Sequence, residues 1–259
     1  MTMQYITRLG LCLVMVATFM VGGDAAVRTI AYDNVHIGVP DPAEARAWYI
    51  KYLGATEGPD GGLYIGKTLI ALVRAESAGP SVGSVIDHIG ISYADLDAKM
   101  RDFEMGGAKV LTAPRDVPGL FKLGFIEDPW GIKIEVVEDV EWPGFHHVHF
   151  RVPDPAATLA WYEEMLGGTR DKLKGRIDGL RYDGVWLLAA DSEGEKLAPS
   201  GDRAIRNVAW TVTDIDDAAA TFKSRGVKTL IEPRPIRDLF YAFFEDPNGV
   251  SVELLQRPQ

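Results

Sequence analysis

The feature that most constrains this fold is a repeat, because the two halves of the 259-residue chain resemble each other closely. Residues 35–42 read VHIGVPDP, and residues 148–155 read VHFRVPDP. The match continues without a gap to a Trp-Tyr pair at 48–49 in the first half and at 161–162 in the second. An internal repeat of this kind predicts similar units that bury their apolar faces against one another.

Each half divides again into two modules, since His36 and His88 both stand in a His-x-Gly pattern on an alternating strand. In the first module Asp41 is placed to cap a helix, Pro42 occupies its first turn and Gly54 follows its end. Short β-type runs separated by Gly and Pro turns follow each helix. The repeating unit is therefore β-α-β-β-β, is about fifty residues long, and occurs four times.

A single module has one sheet face covered by its helix and the other face bare, so two modules must pair around a cleft. We predict an α+β fold in which four βαβββ modules form two domains with curved mixed sheets and outer helices. Divided by the repeat, residues 26–140 hold modules 1 and 2, and residues 141–259 hold modules 3 and 4. The alternative, in which module 1 pairs with 4 and module 2 with 3, stays open.

A histidine and a carboxylate are predicted on one face of the second module's sheet. Strict alternation in residues 86–92 puts His88 and Gly90 on the same face, and Gly90 leaves room for another group to bind. The strand at 132–137 carries Glu135 on its polar side. Such side chains are two of the ligands that a divalent metal site requires.

The charge and the N-terminal segment limit the partners and the location. A net charge of −10 without a basic block argues against nucleic acid. Arg8, the apolar stretch 9–21 and the small residues at 23–25 predict a signal peptide at 1–25, hence export to the periplasm or the medium without stable membrane insertion. Cleavage removes Cys12, the only cysteine, so nitrogen and oxygen must hold any metal.

With these motifs the sequence resembles the vicinal oxygen chelate superfamily, which includes glyoxalase I, extradiol dioxygenases, fosfomycin-resistance enzymes and bleomycin-binding proteins. The resemblance rests on the first-strand histidines, the Pro-Asp-Pro helix starts, the Asp-Pro-x-Gly turns and the last-strand glutamates, and it covers nearly all of residues 30–256. It implies a divalent metal that chelates two neighbouring oxygens of a small substrate and stabilises an oxyanion.

The resemblance also implies which positions carry ligands, namely the first and last strands of paired modules. The candidates are His36, His88, Glu135, His149, Asn207 and Glu253. If consecutive modules pair, the complete set is His36, His88 and Glu135; if the middle modules pair, His149 replaces His36. Glu135 is then both a metal ligand and the catalytic carboxylate.

Other side chains near these strands are assigned to structural positions. We expect His146 and His147 at the surface and the two Trp-Tyr pairs in the core between helix and sheet. Arg151 stands at the position of Gly38 in the repeat, where it either fills a cleft or offers it a cation.

The function implied first is that of a metal-dependent lyase or isomerase acting on an α-hydroxycarbonyl or a similar chelating compound. The alternatives are an Fe(II) extradiol-type dioxygenase and a non-catalytic, resistance-type protein that binds or sequesters a small molecule. Because export exposes Fe(II) to oxidation, we expect Zn, Mn or Ni rather than Fe. Four modules can satisfy the pairing within one chain, so both a monomer and a homodimer stay open.

Overall fold

Four βαβββ modules follow one another in the computed structural model, which describes residues 27–258. The predicted signal peptide at 1–25 lies outside the described residues. No helix within 27–258 combines the length and apolar character needed to cross a membrane. The module predicted from the repeat is confirmed in all four copies.

The elements of the first two modules are short strands around one helix each. Module 1 consists of β1 (Thr29–Val39), α1 (Pro42–Trp48) with a π-helical turn at Tyr49–Leu53, β2 (Thr56–Glu57), β3 (Leu63–Ile65) and β4 (Thr68–Arg74). Module 2 consists of β5 (Ile86–Ser92), α2 (Leu96–Met105), β6 (Lys109–Asp116), β7 (Lys122–Glu127) and β8 (Lys133–Glu138).

The second half of the chain repeats this order with longer hairpins. Module 3 consists of β9 (Gly144–Val152), α3 (Pro155–Leu166), β10 (Thr169–Leu173), β11 (Ile177–Tyr182) and β12 (Val185–Asp191). Module 4 follows a short 3-10 turn at Ser200–Asp202 and consists of β13 (Ile205–Val212), α4 (Ile215–Ser224), β14 (Lys228–Ile236), β15 (Leu239–Glu245) and β16 (Ser251–Gln256).

The first helix begins and ends where its sequence signals predict. The Asp41 side chain accepts a hydrogen bond from the backbone N–H of Ala43 at 2.9 Å, which satisfies a donor that the first helical turn leaves free. Pro42 fills the first helical position. Gly54 ends the segment with a φ of 82°, a left-handed conformation that glycine adopts without strain.

The modules pair across the middle of the chain. One eight-stranded sheet has the order β14-β15-β16-β13-β1-β4-β3-β2 and joins modules 1 and 4, and we call it sheet 1–4. The other has the order β10-β11-β12-β9-β5-β8-β7-β6 and joins modules 2 and 3, and we call it sheet 2–3. The predicted division into 26–140 and 141–259 separates the two copies of the repeat, but each sheet takes one module from each half.

Consecutive modules are nevertheless tied together in the core by the motifs that revealed the repeat. The Tyr49 hydroxyl donates to the Asp128 carboxylate at 2.7 Å, and the Tyr162 hydroxyl donates to Asp246 at 3.1 Å. Each bond joins a Trp-Tyr helix to the Asp-Pro-x-Gly turn of the next module. Both tyrosines are fully buried and Trp48 is nearly so, whereas Trp161 is partly buried and packs against the core.

Candidate metal site

The centre of sheet 2–3 brings three histidines and a glutamate together on one face. His88 on β5 lies opposite His149 on the antiparallel neighbour β9. Gly90 lies opposite His147 on β9 and beside Glu135 on the parallel neighbour β8. Because side chains of paired residues point to the same side of a sheet, all four polar groups face one another.

These four side chains form the ligand cluster, comprising His88, Glu135, His147 and His149. One potential ligand atom from each lies within 4.8 Å of the others. The Glu135 Oε2 atom lies 3.1 Å from His88 Nε2 and 3.3 Å from His147 Nε2. Three of the residues are buried and His149 is partly exposed.

Glycine at position 90 is required by the histidine across the strand. A Cβ atom there would lie 2.1 Å from His147 Cε1, far inside van der Waals contact. The space in front of Gly90 is therefore occupied by the ring of His147, which is itself a potential ligand.

His88 is held from behind by a buried ion-pair network. Its Nδ1 atom lies 2.7 Å from the Asp87 carboxylate, which also binds Lys133 Nζ at 2.6 Å. Burial raises the pKa of Asp87, but His88 and Lys133 outweigh it and hold that pKa well below its usual range. An ionised Asp87 fixes the proton on Nδ1 and leaves Nε2 facing the ligand cluster.

His147 has a similar support from its own side of the sheet. Its Nδ1 atom lies 2.8 Å from His146 Nδ1, and His146 Nε2 lies 3.4 Å from the Asp139 carboxylate. His146 and His147 are both buried, so the expectation that they lie at the surface is wrong. The strand alternation already placed His147 on the face of His149, which is the signal that could have identified it.

His149 is the residue whose environment most clearly lacks a partner. Both of its ring nitrogens are buried and form no hydrogen bond within residues 27–258, and His147 Nε2 likewise lacks one there. Burial lowers the pKa of His149 well below its ordinary value, and the neighbouring His88 and His147 add to that effect. A neutral imidazole with an unused lone pair is the form that binds a metal ion.

The carboxylate of the ligand cluster is ionised. Burial raises the pKa of Glu135, but the adjacent His147 and His88 outweigh it and bring the pKa well below its usual range. Burial lowers the pKa of His88, whereas the hydrogen bonds to Asp87 and Glu135 raise it, with a net increase.

His36, the third ligand expected from consecutive pairing, lies in the other sheet. It is 3.2 Å from Glu253 and does not approach His88 or Glu135. The pairing of module 2 with module 3 explains this, because β1 and β5 belong to different sheets. The residues that lie beside His88 and Glu135 are His149, the alternative named for this pairing, and His147.

Sheet 1–4 has a corresponding sister cluster, comprising Asn34, His36, Asn207 and Glu253. His36 lies opposite Asn207 as His88 lies opposite His149. Asn207 donates to Glu253 at 3.3 Å. Burial, and then the nearby Asp33, raise the pKa of Glu253 to about 8, while burial and Arg206 lower that of His36 to about 4. At pH 7 the 3.2 Å contact between His36 Nε2 and Glu253 therefore joins two neutral groups.

Apolar side chains border the ligand cluster on the β12 side. Trp186 and Leu188 pair in register with His147 and His149, so they point to the same face. They belong to a small hydrophobic cluster, separate from the main core, that Leu173, Phe121, Trp142 and Ile177 complete. Arg151 donates a hydrogen bond to Glu195 at 3.1 Å at the far end of β9.

A family comparison covers most of the chain. The model of the Glyoxalase/Bleomycin resistance protein/Dioxygenase superfamily matches residues 31–136 and 144–254. A curated relative, the uncharacterised protein YaeR of Escherichia coli (strain K12), is 30% identical over 122 residues, which are 43% of this chain and 95% of that protein.

Two solved structures share the fold of the whole molecule. Glyoxalase I from Zea mays superposes with a TM-score of 0.69 at 20% identity, covering 89% of this chain and 92% of that one. A putative dioxygenase from Bacillus subtilis superposes with a TM-score of 0.63 at 18% identity, covering 90% and 87%. At such identities the similarity concerns the arrangement of strands and helices.

Proposed function

The chain belongs to the Glyoxalase/Bleomycin resistance protein/Dioxygenase superfamily, and from this we propose that it is an exported, metal-dependent lyase or isomerase of the glyoxalase type. Its substrate is a small molecule with two neighbouring oxygens, such as an α-hydroxycarbonyl compound. The observation that carries the proposal is the ligand cluster, in which four donor side chains converge and neither ring nitrogen of His149 has a partner among the described residues.

The donor set fits a divalent cation. Imidazole nitrogens with one carboxylate suit Zn, Mn, Ni or Fe, and the absence of thiolate from this set fits a chain whose cysteine lies in the predicted signal peptide. Asp87 and His146 orient two of the rings through their outer nitrogens, as carboxylates and other acceptors do around bound metals. We propose Zn, Mn or Ni as the ion, held by His88, Glu135, His147 and His149.

A divalent ion bound there would supply Lewis acidity to the two substrate oxygens. Glu135 is the only carboxylate of the ligand cluster, and its Oε2 atom faces His88 and His147. The other oxygen, Oε1, makes no hydrogen bond within residues 27–258 and can accept a proton from a carbon next to a carbonyl. Returned to the neighbouring carbon, that proton completes an isomerisation.

The apolar side chains beside the cluster shield the Glu135 carboxylate from water. Trp186 and Leu188 are almost completely buried beside His147 and His149 and exclude water from that side. A proton held by Glu135 there exchanges with solvent slowly enough to be returned to the substrate.

The test of the metal site uses the repeat as its own control. Elemental analysis of the protein purified without a metal-affinity tag should give about one equivalent of divalent metal. We expect His149→Ala to lose it and His36→Ala, at the corresponding position of sheet 1–4, to retain it. Absence of metal from the wild type, even after incubation with Zn, Mn, Ni and Fe salts, would leave a protein that binds small molecules without a metal.

A second candidate is the Fe(II) extradiol-type dioxygenase, favoured by one observation. The cluster contains histidines and a single carboxylate, the combination typical of non-haem Fe(II) oxygenases. Anaerobically Fe(II)-loaded protein supplied with catechols and O₂ would then consume oxygen. The lyase proposal expects instead turnover of α-hydroxycarbonyl compounds without oxygen, and loss of that turnover in Glu135→Gln.

Export is tested separately on the full chain. Produced in a Gram-negative host, the protein should be recovered outside the cytoplasm with a mass corresponding to a start at Ala26. Recovery of an uncleaved chain in the membrane fraction would contradict the proposed localisation.

A further inference from the structure

The sister cluster of sheet 1–4 borders a pocket that the metal chemistry does not use. The pocket has a volume of about 340 Å³, near the lower end of the range for small-molecule sites. Its polar wall contains His36, Arg74 and Arg206, and its apolar wall includes Leu230 and Phe243. The wall residues thus combine two cations with an apolar surface.

Arg206 is the cation that distinguishes this pocket. Its guanidinium has no ion pair or hydrogen bond within residues 27–258, and the residue is half-buried. Its stem packs over Gly38, where a Cβ atom would lie 3.2 Å from Arg206 Cδ. Glycine in the His-x-Gly pattern of module 1 therefore makes room for an arginine, as Gly90 makes room for His147 in sheet 2–3.

The acidic groups around Arg206 leave its charge uncompensated. Glu253, behind His36, is protonated at pH 7 because burial raises its pKa to about 8. Asp33 forms an ion pair with Arg257 at 2.9 Å, and Glu76 forms one with Arg74 at 3.5 Å. Asp202 borders a neighbouring hollow and forms no ion pair with Arg206 within 4 Å.

We propose that this pocket is a second binding site, specific for a small organic carboxylate with an apolar body. Arg206 receives the carboxylate, since a guanidinium offers two parallel N–H donors to such a group. Leu230 and Phe243 contact the apolar part. The site works without a metal, because asparagine occupies two of the positions that hold histidine in the ligand cluster.

The test measures binding of 3-phenylpropanoate by calorimetry at pH 7 to chelator-treated protein, so that the ligand cluster cannot capture the carboxylate through a metal. The neutral 3-phenylpropan-1-ol is the matched probe. We expect the alcohol to bind at least tenfold more weakly than the acid, because it cannot pair with the guanidinium. Equal affinities, or no binding of the acid at about 10 mM, would overturn the proposal.

Variants locate the site. Arg206→Gln should weaken acid binding at least tenfold, whereas Arg101→Gln, an exposed arginine of α2, should leave it unchanged. Arg206→Lys keeps the charge without the paired donors and should fall between wild type and Arg206→Gln. If Arg206→Gln has the circular dichroism spectrum of the wild type and binds the acid with unchanged affinity, the proposal is also overturned. If Arg206→Gln does not fold, the proposal is tested by two other measurements. These are the difference between the affinities of the wild type for the acid and the alcohol, and the affinity of Arg206→Lys for the acid. The outcome does not depend on metal in sheet 2–3.

Discussion

The two sheets contain the same four positions and fill them with different chemistry. In sheet 2–3 three histidines surround Glu135, whereas in sheet 1–4 asparagines stand at two of the corresponding positions around Glu253. The registers are equivalent, since His88 faces His149 as Asn207 faces His36. The backbone is therefore a common frame, and the side chains alone decide whether it can hold a cation.

The difference also sets the charge of the central carboxylate. The two adjacent histidines, His147 and His88, keep the pKa of Glu135 well below its usual range despite burial. Burial dominates at Glu253, where the bonds from Asn207 and Asn34 lower the pKa too little, and it rises to about 8. Equal burial thus gives an ionised group in one sheet and a protonated group in the other.

The largest effect is expected when a histidine of the ligand cluster is replaced by the asparagine found at the corresponding position of the sister cluster. His88→Asn places asparagine where sheet 1–4 has Asn207 and should weaken metal binding by more than about 100-fold, since even residues behind a metal ligand account for 10–100-fold. Competition with a fluorescent chelator measures the affinity. His36→Asn is the matched control; equal affinities of the two variants would contradict the contrast between the sheets.

The second prediction concerns the protonated carboxylate of sheet 1–4. Because the pKa of Glu253 is raised by folding, its contribution to stability is complete below about pH 4.5 and is lost as the pH rises through about 8. Glu253→Gln removes this loss, so the variant should gain about 2–4 kcal/mol relative to wild type between pH 5 and pH 9. Urea unfolding at both pH values measures it. A difference that does not change with pH would show that Glu253 is ionised throughout.

The third prediction addresses the support behind His88. Asp87→Asn keeps the size of the side chain but removes the charge that fixes the Nδ1 proton, and should weaken metal binding about 10–100-fold. Asp183→Asn, an exposed carboxylate, serves as the control. Unchanged affinity in Asp87→Asn would mean that the ring of His88 needs no orientation.

The smallest effect is expected from the two glycines of the His-x-Gly patterns. Gly90→Ala forces the His147 ring to move and should destabilise the protein by about 1–2 kcal/mol. Gly38→Ala meets the flexible stem of Arg206 and the Ala75 methyl at 3.2 Å and the Ala78 methyl at 3.5 Å, and should cost less. Thermal unfolding of both variants measures the two losses of stability. A larger loss in Gly38→Ala than in Gly90→Ala would contradict the view that the glycine opposite His147 is the more tightly packed.

The sequence was sufficient for the modules and insufficient for their pairing. Helix caps such as Asp41 and Gly54 act within a few residues, so the pattern of one module predicts its elements. Pairing depends on which first strands meet edge to edge, and β1, β5, β9 and β13 all have similar alternation. Two arrangements therefore stayed open until the β5–β9 and β1–β13 ladders were seen.

The candidate site was predicted in part for the same reason. His88 and Glu135 lie in one module, so they were identified under either pairing. His149 depended on the pairing, and His147 was assigned to the surface although it shares the face of His149. Gly90 was expected to leave room for a bound group, but the ring of His147 on the neighbouring strand fills that space.

The most direct test of the metal site is anomalous diffraction from crystals soaked in a zinc salt, with data collected on both sides of the zinc absorption edge. We expect an anomalous peak within about 2.0–2.2 Å of the ring nitrogens and the carboxylate oxygen of the ligand cluster, and no such peak at the sister cluster. A peak between His36 and Glu253, or no peak beside His149, would contradict this expectation.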